Sequence, residues 1–226
     1  MRSVDVVPLV DVTAGAWLSG HLIRLGGRVR DVVPAAYEAH VLVSHQGDVD
    51  GGPPVGCLDR LSLAALRDVL LPGTTTPDVC WFALWEGHPG LPRQWATLAR
   101  LRLPERAYLM FRAPVAKVVD LAVEIEGLGH SGDVQGCSSW AVDDAGARVD
   151  VDPADMSRYA EAGRAAGRVR SPNLWWPDDR AWVVGTDIDG DDTLVAGSQT
   201  MINAILASPD LDAEPVTAHD RLTERT

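Results

Sequence analysis

Apolar residues along this chain recur on two different periods. Short runs bounded by Gly, Pro or Asp occur at Val41-Leu42-Val43, at 79–85, at Ala107-Tyr108-Leu109-Met110-Phe111, at Ala181-Trp182-Val183-Val184 and at Thr193-Leu194-Val195. Short β-branched and aromatic runs between such breakers predict strands. From Leu61 to Leu71 the apolar residues instead fall at 63, 66, 69 and 70, the spacing of one helical face. Asp59 or Ser62 is the candidate cap of this helix, and Pro72-Gly73 is its stop. Residues 198–207 repeat the logic with Met201, Ile202, Ile205 and Leu206 on one side and Ser208-Pro209 as the stop. Val115 to Ile125 predicts a third helix, and Pro153 to Ala166 a less periodic fourth. Strands and helices follow one another irregularly, and the strand-turn-strand at 181–196 reads as antiparallel. The expectation is an α+β fold, with a mixed, largely antiparallel sheet of about five strands and three or four helices. Residues 127–170 are rich in Gly, Ala, Asp and Ser and read as a surface insert in a single domain spanning 1–226. The polar tail is expected to fray after Val216.

Composition narrows the classes. The chain has 226 residues, 46% apolar and 23% charged, which suits one domain. A net charge of −12 argues against general nucleic-acid binding, because such proteins neutralise phosphates with clustered Lys and Arg. No apolar stretch approaches the roughly 18 residues needed to span a bilayer, and the first residues lack a cationic flank before an apolar segment. No membrane role is expected, and the location expected is the bacterial cytoplasm. Lys117 is the one lysine among 20 basic residues, a bias that a GC-rich genome produces without functional selection. Cys57, Cys80 and Cys137 are odd in number and form no Cys-x-x-Cys pair, so they read as buried thiols in a reducing compartment, not as zinc ligands. Eight of the aromatic residues are Trp, against three Tyr and two Phe. Indole buries a large area yet carries an N–H that needs a partner, which suits a core or a binding cleft.

Several motifs resolve into ordinary turns and edges. Gly127-Leu128-Gly129-His130-Ser131-Gly132 fits a dinucleotide fingerprint, but it runs on into Asp133-Val134-Gln135-Gly136, which is loop chemistry and not a helix N-terminus. His130, Ser131 and Asp133 are sequence neighbours, whereas a catalytic triad is assembled from separate segments. Asp187-Ile188-Asp189-Gly190-Asp191-Asp192 spaces its carboxylates like a calcium loop. It lacks the Gly at the sixth position and the Glu at the twelfth, and reads as an acidic hairpin turn with Gly190 at positive φ. His40 and His45 read as polar edge residues. No metal and no cofactor is expected. Charge is arranged in blocks: residues 87–112 sum to +4, 158–170 to +3, 143–157 to −4 and 171–192 to −5. Mixed runs of this kind are usually solvated faces that neutralise one another on folding. An acidic surface for a cationic partner is the alternative.

Two segments concentrate chemistry. Trp85-Glu86-Gly87-His88 closes an apolar strand with a carboxylate, a glycine and an imidazole. Residues 172–180 place Trp175, Trp176, Asp178, Asp179 and Arg180 in a stretch whose prolines, Pro172 and Pro177, restrict the backbone. Trp85, Glu86, His88, Trp175, Trp176, Asp178 and Arg180 are therefore the candidate ligand-binding residues. Indole faces suit a flat or sugar-like ligand, Glu86 and Asp178 a hydroxyl or cation, and Arg180 an anion. The alternative is a structural corner in which the indoles seal the core and Asp178 or Asp179 pairs with Arg180.

These same segments carry a resemblance. The stretches VPAAYEAHVLVSH at 33–45, LLPGTTTPDVCWFALWEGH at 70–88, LPERAYLMFRAP at 103–114 and SPNLWWPDDRAWVVGTDID at 171–189 resemble a mostly actinobacterial protein family marked by an LWWPxDRAW-type motif. The resemblance implies no activity, and it does not extend to 127–170. Three functions remain open on the sequence. The first is a non-catalytic soluble binding protein with a Trp-rich acidic cleft, for a small ligand or a basic protein partner. The second is a hydrolase or glycosidase-like enzyme using Glu86 and Asp178, which requires the two carboxyls to stand about 5–10 Å apart. The third is an immunity-type inhibitor whose acidic blocks meet a basic toxin.

Overall fold

Alternation of side chains across a pleated strand decides the layering. In the computed structural model of the chain, which describes residues 7–22, 27–45, 55–88, 91–128, 140–142, 148–150 and 169–222, the strands are β1 (Ala39–Ser44), β2 (Cys80–Trp85), β3 (Leu101–Leu103), β4 (Arg106–Ala113), β5 (Trp140–Val142), β6 (Arg148–Asp150), β7 (Leu174–Pro177), β8 (Val183–Thr186), β9 (Asp192–Gly197) and β10 (Ala213–Val216). Eight of them form one sheet in the order β10-β1-β9-β8-β7-β2-β4-β3, with every pairing antiparallel. The α-helices are α1 (Val29–Val32), α2 (Arg60–Leu70), α3 (Val118–Leu128) and α4 (Gln199–Leu206).

Along β2, Cys80, Phe82 and Leu84 point into one core, while Trp81, Ala83 and Trp85 point to the other. The first core is covered by Leu63, Leu66 and Leu70 of α2, Leu121 and Ile125 of α3, and Ile202 and Ile205 of α4. The second lies under Leu18 of the 3-10 helix Thr13–Gly20, under Val29 and Val32 of α1, and under Val33. The sheet is thus the middle of three layers, with the longer helices on one side and the N-terminal arm on the other. Gly185 marks the close approach of α1, since a Cβ there would lie 2.8 Å from the Val32 carbonyl oxygen.

The α+β expectation holds, but the sheet has eight strands where about five were expected. All five expected runs are in it, as β1, β2, β4, β8 and β9. The three extra strands are β3, which spans three residues, and β7 and β10, each of which contains a proline. Pro215 is tolerated because β10 is an edge strand, where a missing N–H breaks no ladder. Capping follows the sequence logic: the Asp59 carboxylate accepts from the Leu61 and Ser62 amides at the start of α2, and the Ser198 hydroxyl accepts from Met201 at α4. His40 and His45 are not edge residues. β1 is an interior strand, and both rings are buried, His40 donating to the Pro34 carbonyl at 3.0 Å.

Of the expected insert, the described part includes the antiparallel pair β5–β6 and residues 169–170, where the Arg170 amide donates to the Ala122 carbonyl of α3. The fourth helix at 153–166, most of the glycine motif at 127–132, and His130, Ser131 and Asp133 lie outside the described residues. Beyond Val216, where fraying was expected, the chain is tied back as far as Leu222, whose amide donates to the Gly27 carbonyl at 2.7 Å. Among the described residues no helix is long and apolar enough to cross a membrane.

Candidate functional site

The tryptophans of the 172–180 segment belong to β7, and this decides their role. Consecutive strand residues face opposite ways, so Trp175 enters the helix-side core and Trp176 the other. Each is only 1% exposed. Trp175 stacks on Phe82 at 6.1 Å and meets Trp182 edge-on at 5.0 Å, while Trp176 meets Trp17 edge-on at 6.1 Å. The two indoles are packing elements of separate cores and line no common cleft.

The turn after β7 is held by its carboxylates. Asp178 accepts from the Trp81 indole N–H at 3.0 Å. Asp179 clamps the 74–76 turn, accepting from the Thr75 amide at 2.6 Å and from the Thr74 and Thr75 hydroxyls. The slight burial of the Asp179 carboxyl pushes its pKa up, but the bonds from Thr75, Thr74 and Ala181 outweigh this and leave it below the usual carboxylate range. Arg180 takes a left-handed φ of 53°. Its carbonyl accepts from the Tyr37 hydroxyl, and its guanidinium lies 4.8 Å over the Trp17 ring. The corner therefore closes through threonines and an indole, with no ion pair from Asp178 or Asp179 to Arg180 among the described residues.

Trp85, Glu86 and His88 sit at the opposite end of the sheet. The Asp178 amide donates to the carbonyl of Val79, the residue before β2, and Glu86 follows the end of that strand. Seven extended residues put the two carboxyls roughly 20 Å apart. That is beyond the reach of a paired-carboxylate mechanism. Glu86 is instead paired with Arg100 at 2.8 Å, whose other nitrogens bond the Leu98 and Trp95 carbonyls. Gly87 is small because Trp85 folds back over it; a Cβ there would run into the indole. His88 packs edge-on against Trp85 and donates from Nε2 to Asn173 Oδ1 at 3.2 Å. Burial brings its pKa down to about 4, aided by the Arg170 charge and opposed by the Asn173 bond.

That end of the sheet carries a row of polar side chains on its helix face. His45 bonds Thr193, and Thr193 bonds Thr186 at 2.7 Å. The Thr186 amide donates to the Asn173 carbonyl at 2.7 Å. Fully buried Asn173 also accepts from the Trp85 amide and donates to the Gly56 carbonyl. Gly56, at φ 74°, donates from its amide to Gly190 at 2.7 Å and lies directly beneath Ile188. The row is therefore the bed of the 187–191 turn.

Above that turn, on the other face, opens a pocket of about 350 Å³. Val32, Leu194 and Leu222 supply its apolar lining, and Arg106, Asp187, Asp189, Asp191 and Asp192 its charged lining. Arg106 Nη2 stands 3.0 Å from both Asp187 and Asp189, joining the +4 block to the −5 block. Beside them, burial pushes the Tyr108 phenol up to about 12, with Arg106 pulling it down and Asp187 pushing it up. The turn is a hairpin as expected, but Gly190 is not at positive φ. The Asp187 side chain forms the turn instead, accepting from the Asp189 amide. Among the described residues no three His, Cys, Asp or Glu side chains are grouped to hold a metal ion. Arg106, Val32, Leu194 and Leu222 belong to no motif; the opposed charge blocks are the one sequence signal for Arg106, and Leu194 is marked only as part of a strand. Comparison with protein-family models, with curated proteins and with solved structures finds no match for the chain.

Proposed function

We propose that this chain is a non-catalytic binding protein that takes a cationic group on an apolar stem into the pocket above the 187–191 turn. The supporting observation is the lining: the exposed carboxylate of Asp189, held by Arg106 at 3.0 Å, stands beside the apolar side chains of Val32, Leu194 and Leu222. A volume near 350 Å³ is at the small end of ligand sites and suits an alkylammonium or alkylguanidinium. Such a group comes equally from a small amine or from a Lys or Arg side chain of a basic protein, and long-range attraction by the acidic surface aids either.

Titration calorimetry with agmatine, butylamine and a short Arg-rich peptide tests the reading. Binding that weakens as salt rises from low to about 0.5 M is expected, with about a tenfold loss in Asp189→Asn or Asp191→Asn, the order of one partly screened charged hydrogen bond. A response to the peptide alone assigns the cation to a protein partner. Absence of binding by all three probes at low salt, or binding indifferent to both substitutions, overturns the proposal.

A further inference from the structure

Arg106 holds an unusual place in the pocket. It is the first residue of β4, with β7 and β2 lying between that strand and β8 in the sheet, yet its side chain reaches the turn between β8 and β9. One nitrogen, Nη2, serves both carboxylates: Asp187 Oδ1 at 3.0 Å and Asp189 Oδ2 at 3.0 Å. The three groups differ in exposure. The Arg106 side chain is 11% exposed and that of Asp187 24%, while that of Asp189 is 81% exposed at the tip of the turn. The inner pair is thus shielded and the outer pair is open to water and to any solute entering the pocket.

Resting on the cation-binding reading above, we infer that Arg106 is the pocket's resident cation and that a ligand binds by taking Asp189 from it. The exchange conserves charge pairing. The incoming ammonium or guanidinium pairs with Asp189 and the apolar lining receives its stem, while Arg106 keeps the shielded ion pair with Asp187. No buried charge is left without a partner, which is the condition that makes such an exchange feasible. The arrangement also selects ligands. A neutral alcohol or an anion gains nothing from displacing a guanidinium, so only a cation able to compete with Arg106 enters. Arg106 is on this view the specificity-determining residue of the site, acting as an internal competitor and not as a contact for the ligand.

The test is agmatine affinity in the full chain by calorimetry. Arg106→Met keeps an apolar stem of similar reach and removes the competitor, so binding is expected to tighten about tenfold, the order of one partly screened ion pair regained by the ligand. Arg102→Gln on neighbouring β3 makes the same change in net charge at an exposed position outside the pocket lining, and should alter affinity less than twofold because its field is screened. A second measurement does not depend on how the variant folds. In the native chain, the Arg106 side-chain N–H resonance should move toward the position of free arginine as agmatine saturates the site. Weaker or unchanged binding in Arg106→Met, equal tightening in Arg102→Gln, or a stationary Arg106 resonance at saturation overturns the inference while leaving cation binding intact. Failure of agmatine to bind either the native chain or Arg106→Met overturns both.

Discussion

Replacing Trp175 by Ala separates a packing tryptophan from a binding one. Trp175 is 1% exposed, stacked on Phe82 at 6.1 Å and edge-on to Trp182 at 5.0 Å, in the middle of the helix-side core. Truncating a fully buried Trp costs about 3–5 kcal/mol through lost transfer energy and the cavity left behind. The two ring contacts place the expected value toward the upper end, each aromatic pair adding about 0.5–1.5 kcal/mol beyond area. Total stability of a domain is about 5–15 kcal/mol, so the variant is expected to fold but to melt roughly 10 °C or more below the native chain. Urea unfolding followed by far-ultraviolet circular dichroism is the suitable assay, because it does not rely on the fluorophore removed. Trp85→Ala, at a half-buried position, should cost less than half as much. A Trp175→Ala chain within about 1 kcal/mol of native stability, yet unable to bind a cation that the native chain binds, would refute the packing role and restore the indole to a site.

Three further outcomes rest on particular contacts. Gly56→Ala would place a Cβ 2.5 Å from the Ile188 carbonyl oxygen at a left-handed φ of 74°. Residue strain of about 1–2 kcal/mol plus displacement of the 187–191 turn should lower stability and abolish agmatine binding together; native-like affinity in this variant counts against the turn being the pocket wall. Asp179→Ala removes the acceptor for Thr74, Thr75 and Ala181. Because Asp179 is exposed, the cost should be held to about 1–2 kcal/mol, with faster amide hydrogen exchange at Thr75 and unchanged affinity at the distant pocket; a protected Thr75 amide would contradict the clamp. His88 stays neutral in the fold down to about pH 4, whereas it protonates near 6.5 when unfolded. The unfolded chain therefore binds the extra proton in between. Stability should fall as pH drops from about 6.5 to 4 and this contribution should flatten below, by at most about 3 kcal/mol. His88→Gln should remove that part of the slope, and an identical pH profile in the variant would exclude His88 as its source.

Much of the fold was legible where local pattern and burial agree. The strand at 79–85 is a continuous apolar run because β2 is interior and buried on both faces, and the α2 cap was legible because Asp59 satisfies two amides within its own turn. β7 was not, because it has four residues, and Pro172 and Pro177 give the segment the composition of a constrained loop. β10 was hidden by Pro215, which is compatible with a strand only at an edge, and edges are a property of the whole sheet.

The misplaced candidate site stems from that one unread strand. Once 174–177 is extended, the period of two sends Trp175 and Trp176 to opposite faces, and pairing of Phe82 with Trp175 and of Cys80 with Pro177 sends Glu86 and Asp178 to opposite ends. A shared aromatic cleft and a carboxylate pair are then both excluded by strand geometry alone. The pocket has the converse problem. Its lining comes from residues near 27, 32, 106, 187–194 and 222, brought together by strand order and by the tail folding back on Gly27. No local pattern encodes such a meeting. What the chain does carry locally is the imbalance between its +4 and −5 blocks. Such blocks must neutralise or be exposed on folding. Here Arg106 of the first block meets Asp187 and Asp189 of the second, and that meeting is the physical basis for the cation exchange proposed at the turn.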